Sequence, residues 1–66
     1  MNVILYSTNC PQCKMLEMKL KQKNISYEEI TDVALMQEKG FMSVPKLEVD
    51  GTIYDLKDAV KWVGGQ

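Results

Sequence analysis

Cys10 and Cys13, separated only by Pro11 and Gln12, stand where an apolar run gives way to a helical pattern. No other feature constrains the chain as tightly. Asn2 to Tyr6 is a short apolar run suited to a buried strand, and Ser7-Thr8-Asn9 is a loop. From Pro11 to about Lys23 the spacing predicts a helix, with Cys13, Leu16 and Leu20 on one face and Met15 beside them. Glu17 and Lys21 form an i,i+4 pair in the favourable order on the outside. Proline at the first helical position is a start signal, and Asn24 can end the helix.

The same alternation continues to the end of the chain. Ile25 to Ile30 reads as a second strand, and a helix between two strands suggests a parallel β-α-β unit. Thr31 or Asp32 can cap a short second helix through Lys39, with Gly40 as its stop. After Ser43-Val44-Pro45, residues 46–49 alternate polar and apolar as a half-buried strand does. Asp50-Gly51 is a strong type I′ hairpin turn, and Thr52 to Tyr54 returns as the partner strand. Asp55 can cap a last helix in which Leu56, Ala59, Val60 and Val63 fall at i, i+3, i+4 and i+7, and Gly64-Gly65 ends it. The expected order is βαβαββα: an α/β fold with a four-stranded mixed sheet flanked by helices.

With 66 residues the chain is expected to form a single domain, residues 1–66, with a thin core. Its net charge is −1, with eight lysines and no arginine. That gives no electrostatic footprint for nucleic acid and no bidentate phosphate recognition. No apolar run is long enough to span a membrane. The first residues lack the basic region and apolar length of a signal peptide, so the expected location is cytoplasmic.

The cysteine pair is poorly suited to a structural role, because a bridge across two residues removes little unfolded-state entropy. A reducing compartment would not preserve it either. Cys10 instead falls at the expected helix N-terminus, where unpaired N–H groups and the positive end of the dipole favour an anion. A free thiol ionises near pH 8.5, and such a setting lowers the value to roughly 3.5–7.5. Lys14 adds a small, screened contribution. Pro11 fixes the turn at a position where its missing N–H costs nothing, and Gln12 is an exposed residue that tunes the pair weakly. In the expected chemistry the Cys10 thiolate attacks a substrate disulfide, and Cys13, one turn further in, attacks Cys10 and releases the product.

The competing reading of C-x-x-C is half of a zinc site or an iron–sulfur ligand set. One chain with two cysteines and no histidine cannot supply four N/S ligands, but two chains could share two pairs. That alternative is a non-catalytic metal- or cluster-bridged dimer, or an adaptor that keeps the fold only. Other residues have plain readings beside functional ones. Tyr6 covers the end of the sheet or lines the cleft. Met15, Met18, Met36 and Met42 are expected mostly as adaptable core filler, with one or two as a soft docking surface near the site as the alternative. Lys46 is a solvated strand residue, and Trp62 packs at the edge of its helix's apolar stripe.

Leu5-Tyr6-Ser7 before the motif, the CPQC itself, Ser43-Val44-Pro45 and the hairpin closing on a short helix together resemble the glutaredoxins and short glutaredoxin-like proteins of the thioredoxin-fold superfamily. The resemblance spans nearly the whole chain. It implies a cis Val44–Pro45 bond beside the active site, with Val44 offering its backbone to the substrate. It implies a monomeric thiol–disulfide oxidoreductase acting on disulfide-containing proteins or glutathione mixed disulfides. No tightly bound cofactor is expected beyond the redox-active Cys10–Cys13 disulfide, with glutathione as a co-substrate. Two stretches differ from the common glutaredoxin pattern. Ser7-Thr8-Asn9 carries no basic residue before Cys10, and Ile53-Tyr54-Asp55-Leu56 replaces a Gly-Gly-Asp arrangement, leaving Asp55 alone to serve as a substrate contact as well as a cap. The short members that donate electrons to ribonucleotide reductase, and are recharged by thioredoxin reductase, match equally well. Glutathione and thioredoxin reductase therefore both stand as electron donors.

Overall fold

The computed structural model describes residues 2–66 and follows the expected order of elements. Strand β1 is Val3–Tyr6, helix α1 Pro11–Gln22, β2 Glu28–Ile30 and α2 Val33–Glu38. Strands β3, Lys46–Val49, and β4, Thr52–Tyr54, lead into α3, Leu56–Gly64. The sheet order is β2-β1-β3-β4, with β1 parallel to β2 and antiparallel to β3, and β3 antiparallel to β4. This is a mixed four-stranded sheet of the thioredoxin-like kind.

Strand β2 is shorter than its apolar pattern suggests, and the end of α1 explains why. Asn24 takes a left-handed φ of 57° and donates to the Lys21 carbonyl, while Ile25 N–H reaches back to the Leu20 carbonyl at 3.0 Å. This paired closure of a helix C-terminus occupies Ile25 before any strand can begin. Helix α2 ends in the same way. Gly40 sits at φ 78°, its N–H donates to Gln37, and Phe41 N–H donates to the Met36 carbonyl at 3.0 Å. Asp50 and Gly51 have φ of 49° and 89°, the two positive values a type I′ hairpin requires.

Alternation along the strands separates two layers. Val3 and Leu5 of β1 and Leu47 and Val49 of β3 pack with Leu16 and Leu20 of α1 and Ala59 and Val63 of α3 into one buried cluster. Tyr54 and Trp62 pack at its edge with stacked rings 6.5 Å apart, which is where the helical pattern puts Trp62. The other face carries Ile4 and Tyr6. There the Phe41 ring meets Tyr6 edge-on at 5.0 Å, so the closure of α2 sets the cover over this end of the sheet.

The methionines depart from the sequence expectation. Among the described methionines only Met36 is buried; Met15 and Met18 are exposed and Met42 is 98% exposed. Met15 lies on the flank of the buried stripe of α1 and Met18 on the side opposite Leu16 and Leu20, and Met42 follows the α2 closure into a loop, exposed. No helix of the described residues is long and apolar enough to cross a membrane.

Candidate active site

The site is built where β1 runs into α1. Ser7 is buried, with its N–H donating to the Ile30 carbonyl at 3.0 Å and its hydroxyl to Glu29 Oε2 at 2.8 Å. Both bonds tie the strand end to β2. Asn9 then adopts a left-handed φ of 62°, a conformation asparagine tolerates better than most residues, and the chain turns into the helix.

Cys10 is the N-cap of α1, with extended backbone and Pro11 at the first helical position. Cys13 N–H donates to Cys10 Sγ at 3.1 Å, and Lys14 N–H donates to the Cys10 carbonyl at 3.0 Å. The sulfur thus occupies the place that a serine or aspartate oxygen takes in an ordinary cap. A backbone donor aimed at that sulfur favours the thiolate over the thiol. The two cysteines form a disulfide, with Cα atoms 5.0 Å apart. Cys10 is half-buried while Cys13 is 1% exposed on the inner face of α1. A substrate disulfide can therefore be reached by Cys10, and Cys13 is shielded behind it.

The Val44–Pro45 bond is cis, as the family resemblance implies. Pro45 is buried and Val44 half-buried. Val44 lines a groove of about 200 Å³ with Thr8, Val33, Met36, Phe41 and Met42, so the loop before β3, the end of α2 and the loop before Cys10 converge there. A second, larger hollow of about 330 Å³ runs along the outer face of α1 and is lined by Asn9, Lys14, Glu17, Met18 and Lys21. Glu17 pairs with Lys21 at 3.1 Å, and this lysine hydrogen bond holds its carboxyl below the usual value.

Gln12 and Lys14 are exposed on the first turn of α1. Tyr6 lines neither hollow. It is buried on the sheet face beneath Phe41, its hydroxyl donates to Glu48 Oε1 at 3.0 Å, and Lys39 Nζ lies 5.8 Å from its ring. Burial first, then the Glu48 carboxylate, push its phenol up to about 12. Asp55 caps α3, accepting from Asp58 N–H at 3.0 Å, and also lines neither hollow. Among the described residues no group of three or more His, Cys, Asp or Glu is placed to hold a metal ion.

Sequence reasoning missed Val33, Phe41 and Thr8 as groove residues. Val33, Met36 and Gln37 share a face by their spacing, but a helix of six residues is too short for that periodicity to stand out.

The sequence matches the thioredoxin domain family over residues 1–64. No curated protein matches the chain. Among solved structures, 97% of the chain superposes on 95% of a mutant of the thioredoxin-like protein BC3987, with a TM-score of 0.75 and 23% identity. The whole chain also superposes on a glutathione S-transferase from Ascaris lumbricoides, with a TM-score of 0.79 and 19% identity. It does so again on the trimeric glutathione transferase TDR1 of Leishmania, with a TM-score of 0.77 and 21% identity. The chain spans 36% and 17% of those two transferases. At these identities the likeness is one of fold.

Proposed function

The chain belongs to the thioredoxin-domain family, and from that premise we propose that it is a dithiol–disulfide oxidoreductase of glutaredoxin-like type that reduces protein disulfides or glutathione mixed disulfides. The observation that carries this reading is the cap of α1: a half-buried Cys10 sulfur receives the Cys13 N–H at 3.1 Å, with the partner cysteine buried behind it.

The reaction begins from the dithiol. The Cys10 thiolate attacks one sulfur of the substrate disulfide, forming a Cys10–substrate disulfide, and the other substrate sulfur leaves as a thiolate and takes up a proton. The Cys13 thiol then loses its proton and attacks Cys10 Sγ. The Cys10–Cys13 disulfide forms, and the second substrate sulfur leaves as a thiol. Two electrons pass from protein to substrate. By the family resemblance, the backbone of Val44, which lines the groove, aligns an extended substrate segment.

Two donors could restore the dithiol. The fold is shared with glutathione transferases, but Ser7-Thr8-Asn9 offers no cation to a glutathione carboxylate, and Asp55 already serves as a cap. Glutathione and a thioredoxin reductase are separated by an NADPH-coupled assay run with each in parallel. Turnover with glutathione plus its reductase marks a glutaredoxin. Turnover with thioredoxin reductase alone marks a reductant of the kind that serves ribonucleotide reductase. No turnover with either, by a protein whose dithiol also fails to reduce a small disulfide, removes the reading.

A further inference from the structure

The two hollows share no lining residue. Thr8 lines one and Asn9 the other, consecutive residues directly before Cys10. One is an apolar groove and belongs to α2 and the loop before β3. The other belongs to the outer face of α1 and is floored by the exposed Met18. Its charge comes from Lys14, Lys21 and Glu17, a net of one positive charge. Glu17 is engaged by Lys21, and among the described residues no carboxylate lies within salt-bridge distance of Lys14. Lys14 stands one helical turn above Cys10, through its N–H bond to the Cys10 carbonyl. A disulfide seated at Cys10 therefore has an apolar surface on one flank and a cation on the other.

We propose, on the footing of the disulfide-reductase reading, that the preferred substrate is a polypeptide whose cysteine lies in an extended segment with a branched or aromatic apolar side chain on one side and a carboxylate on the other. Val33, Phe41 and Met42 receive the apolar side chain. Lys14 receives the carboxylate. The groove is about the size of one large apolar side chain, and the strand spacing of an extended segment places its flanking residues several ångströms to either side of the cysteine. Lys14 and Val33 act as specificity residues. They choose among disulfides and take no part in the exchange of sulfur bonds.

The test uses single-turnover oxidation of the pre-reduced full chain by disulfide-linked dimers of short synthetic peptides, read by acid quench and thiol alkylation. The peptides place leucine and glutamate on opposite sides of one cysteine, in both orders. Variants put glycine in place of leucine, or lysine in place of glutamate. In the better order, glycine for leucine slows the reaction about tenfold. Lysine for glutamate slows it about two- to fivefold at low salt, and this effect fades at high salt. Lys14→Glu inverts the glutamate-to-lysine ratio, and Val33→Asp narrows the leucine-to-glycine ratio. Ratios within one variant cancel any general change in the reactivity of Cys10. Equal rates for all peptides, from a protein that hydroxyethyl disulfide still oxidises, overturn the proposal and leave the oxidoreductase reading standing. Failure of every disulfide, the small one included, overturns the oxidoreductase reading itself.

Discussion

The two faces of the sheet are built differently. On one, α1 and α3 close over Val3, Leu5, Leu47 and Val49, leaving all four buried. On the other, cover is confined to one end, where the Phe41 ring meets Tyr6, and Ile53 remains exposed further along the same face. The first face buries a continuous apolar layer and holds the fold. The second leaves a groove open beside the cysteines. In a chain of 66 residues there is little apolar surface to spare, so a binding groove comes at the expense of cover. Cys10 and Cys13 sit across this division, one half-buried at the open end and the other inside the closed face.

The strongest test of the comparison is at that boundary. Cys10→Ser should reduce disulfide turnover to the uncatalysed rate while leaving circular dichroism and melting nearly unchanged, because serine is itself a good helix cap. Turnover surviving in this variant would detach the chemistry from the open end altogether. Substitutions on the two faces should then diverge. Leu16→Ala, in the closed core, should cost about 2–5 kcal/mol, a large part of the stability of so small a domain. Met42→Ala, at a side chain open to solvent, should stay within about 0.5 kcal/mol. Urea titrations of the pair measure this difference directly, and similar losses would mean that the open face also carries the fold.

Alkaline pH probes the covered end of the second face. The Tyr6 phenol is pushed from 10.0 to about 12 in the folded chain, by burial and then by its hydrogen bond to Glu48. The folded state thus holds a proton that the unfolded chain gives up. Its stabilising contribution is complete below pH 10 and is lost as pH rises towards 12. Tyr27, also raised to about 12, contributes in the same direction. Tyr6→Phe should flatten the fall in stability across that window, and an unchanged slope would leave Tyr27 as its source.

The closed face was the more legible one in the sequence. Leu16 and Leu20, and Ala59 and Val63, recur at helical spacing, and Leu47 and Val49 alternate with polar neighbours. Each pattern arises because one face of its element is buried. The caps at Asp32 and Asp55 and the Asp50-Gly51 turn were legible for the same reason, since each residue type satisfies a particular backbone need. The cysteines were legible from their position at a helix start. The open face was not. Exposed methionines look the same in sequence as buried ones, because a flexible thioether fits either setting. Ile25 looked like strand but closes a helix, since its apolar character does not say which backbone partner its N–H will take. The groove depends on Phe41 being brought over Tyr6, a tertiary contact with no local signature.

Smaller effects should separate the helix ends from the helix surfaces. Asp55→Ala removes the side chain that accepts the Asp58 N–H and should cost about 1 kcal/mol, since α3 closes the core side of the sheet. If disulfide turnover per folded molecule also falls, Asp55 contributes to substrate binding in addition to capping.

The smallest effect lies on the outside of α1, on the turn opposite its buried stripe. Glu17 pairs with Lys21 across one turn, and that bond holds its folded pKa below 4.5. The pair therefore stabilises the chain above about pH 4.5, and its contribution disappears as the carboxylate is protonated at lower pH. Glu17→Gln should cost about 0.3–0.5 kcal/mol at pH 7, less at high salt, and nothing once the pH is well below the carboxylate range. This deficit is several-fold smaller than that of Leu16→Ala one residue away on the same helix. If Glu17→Gln instead cost as much as a core substitution, the outer face of α1 would be part of the closed layer, and the hollow along it could not remain open beside Cys10.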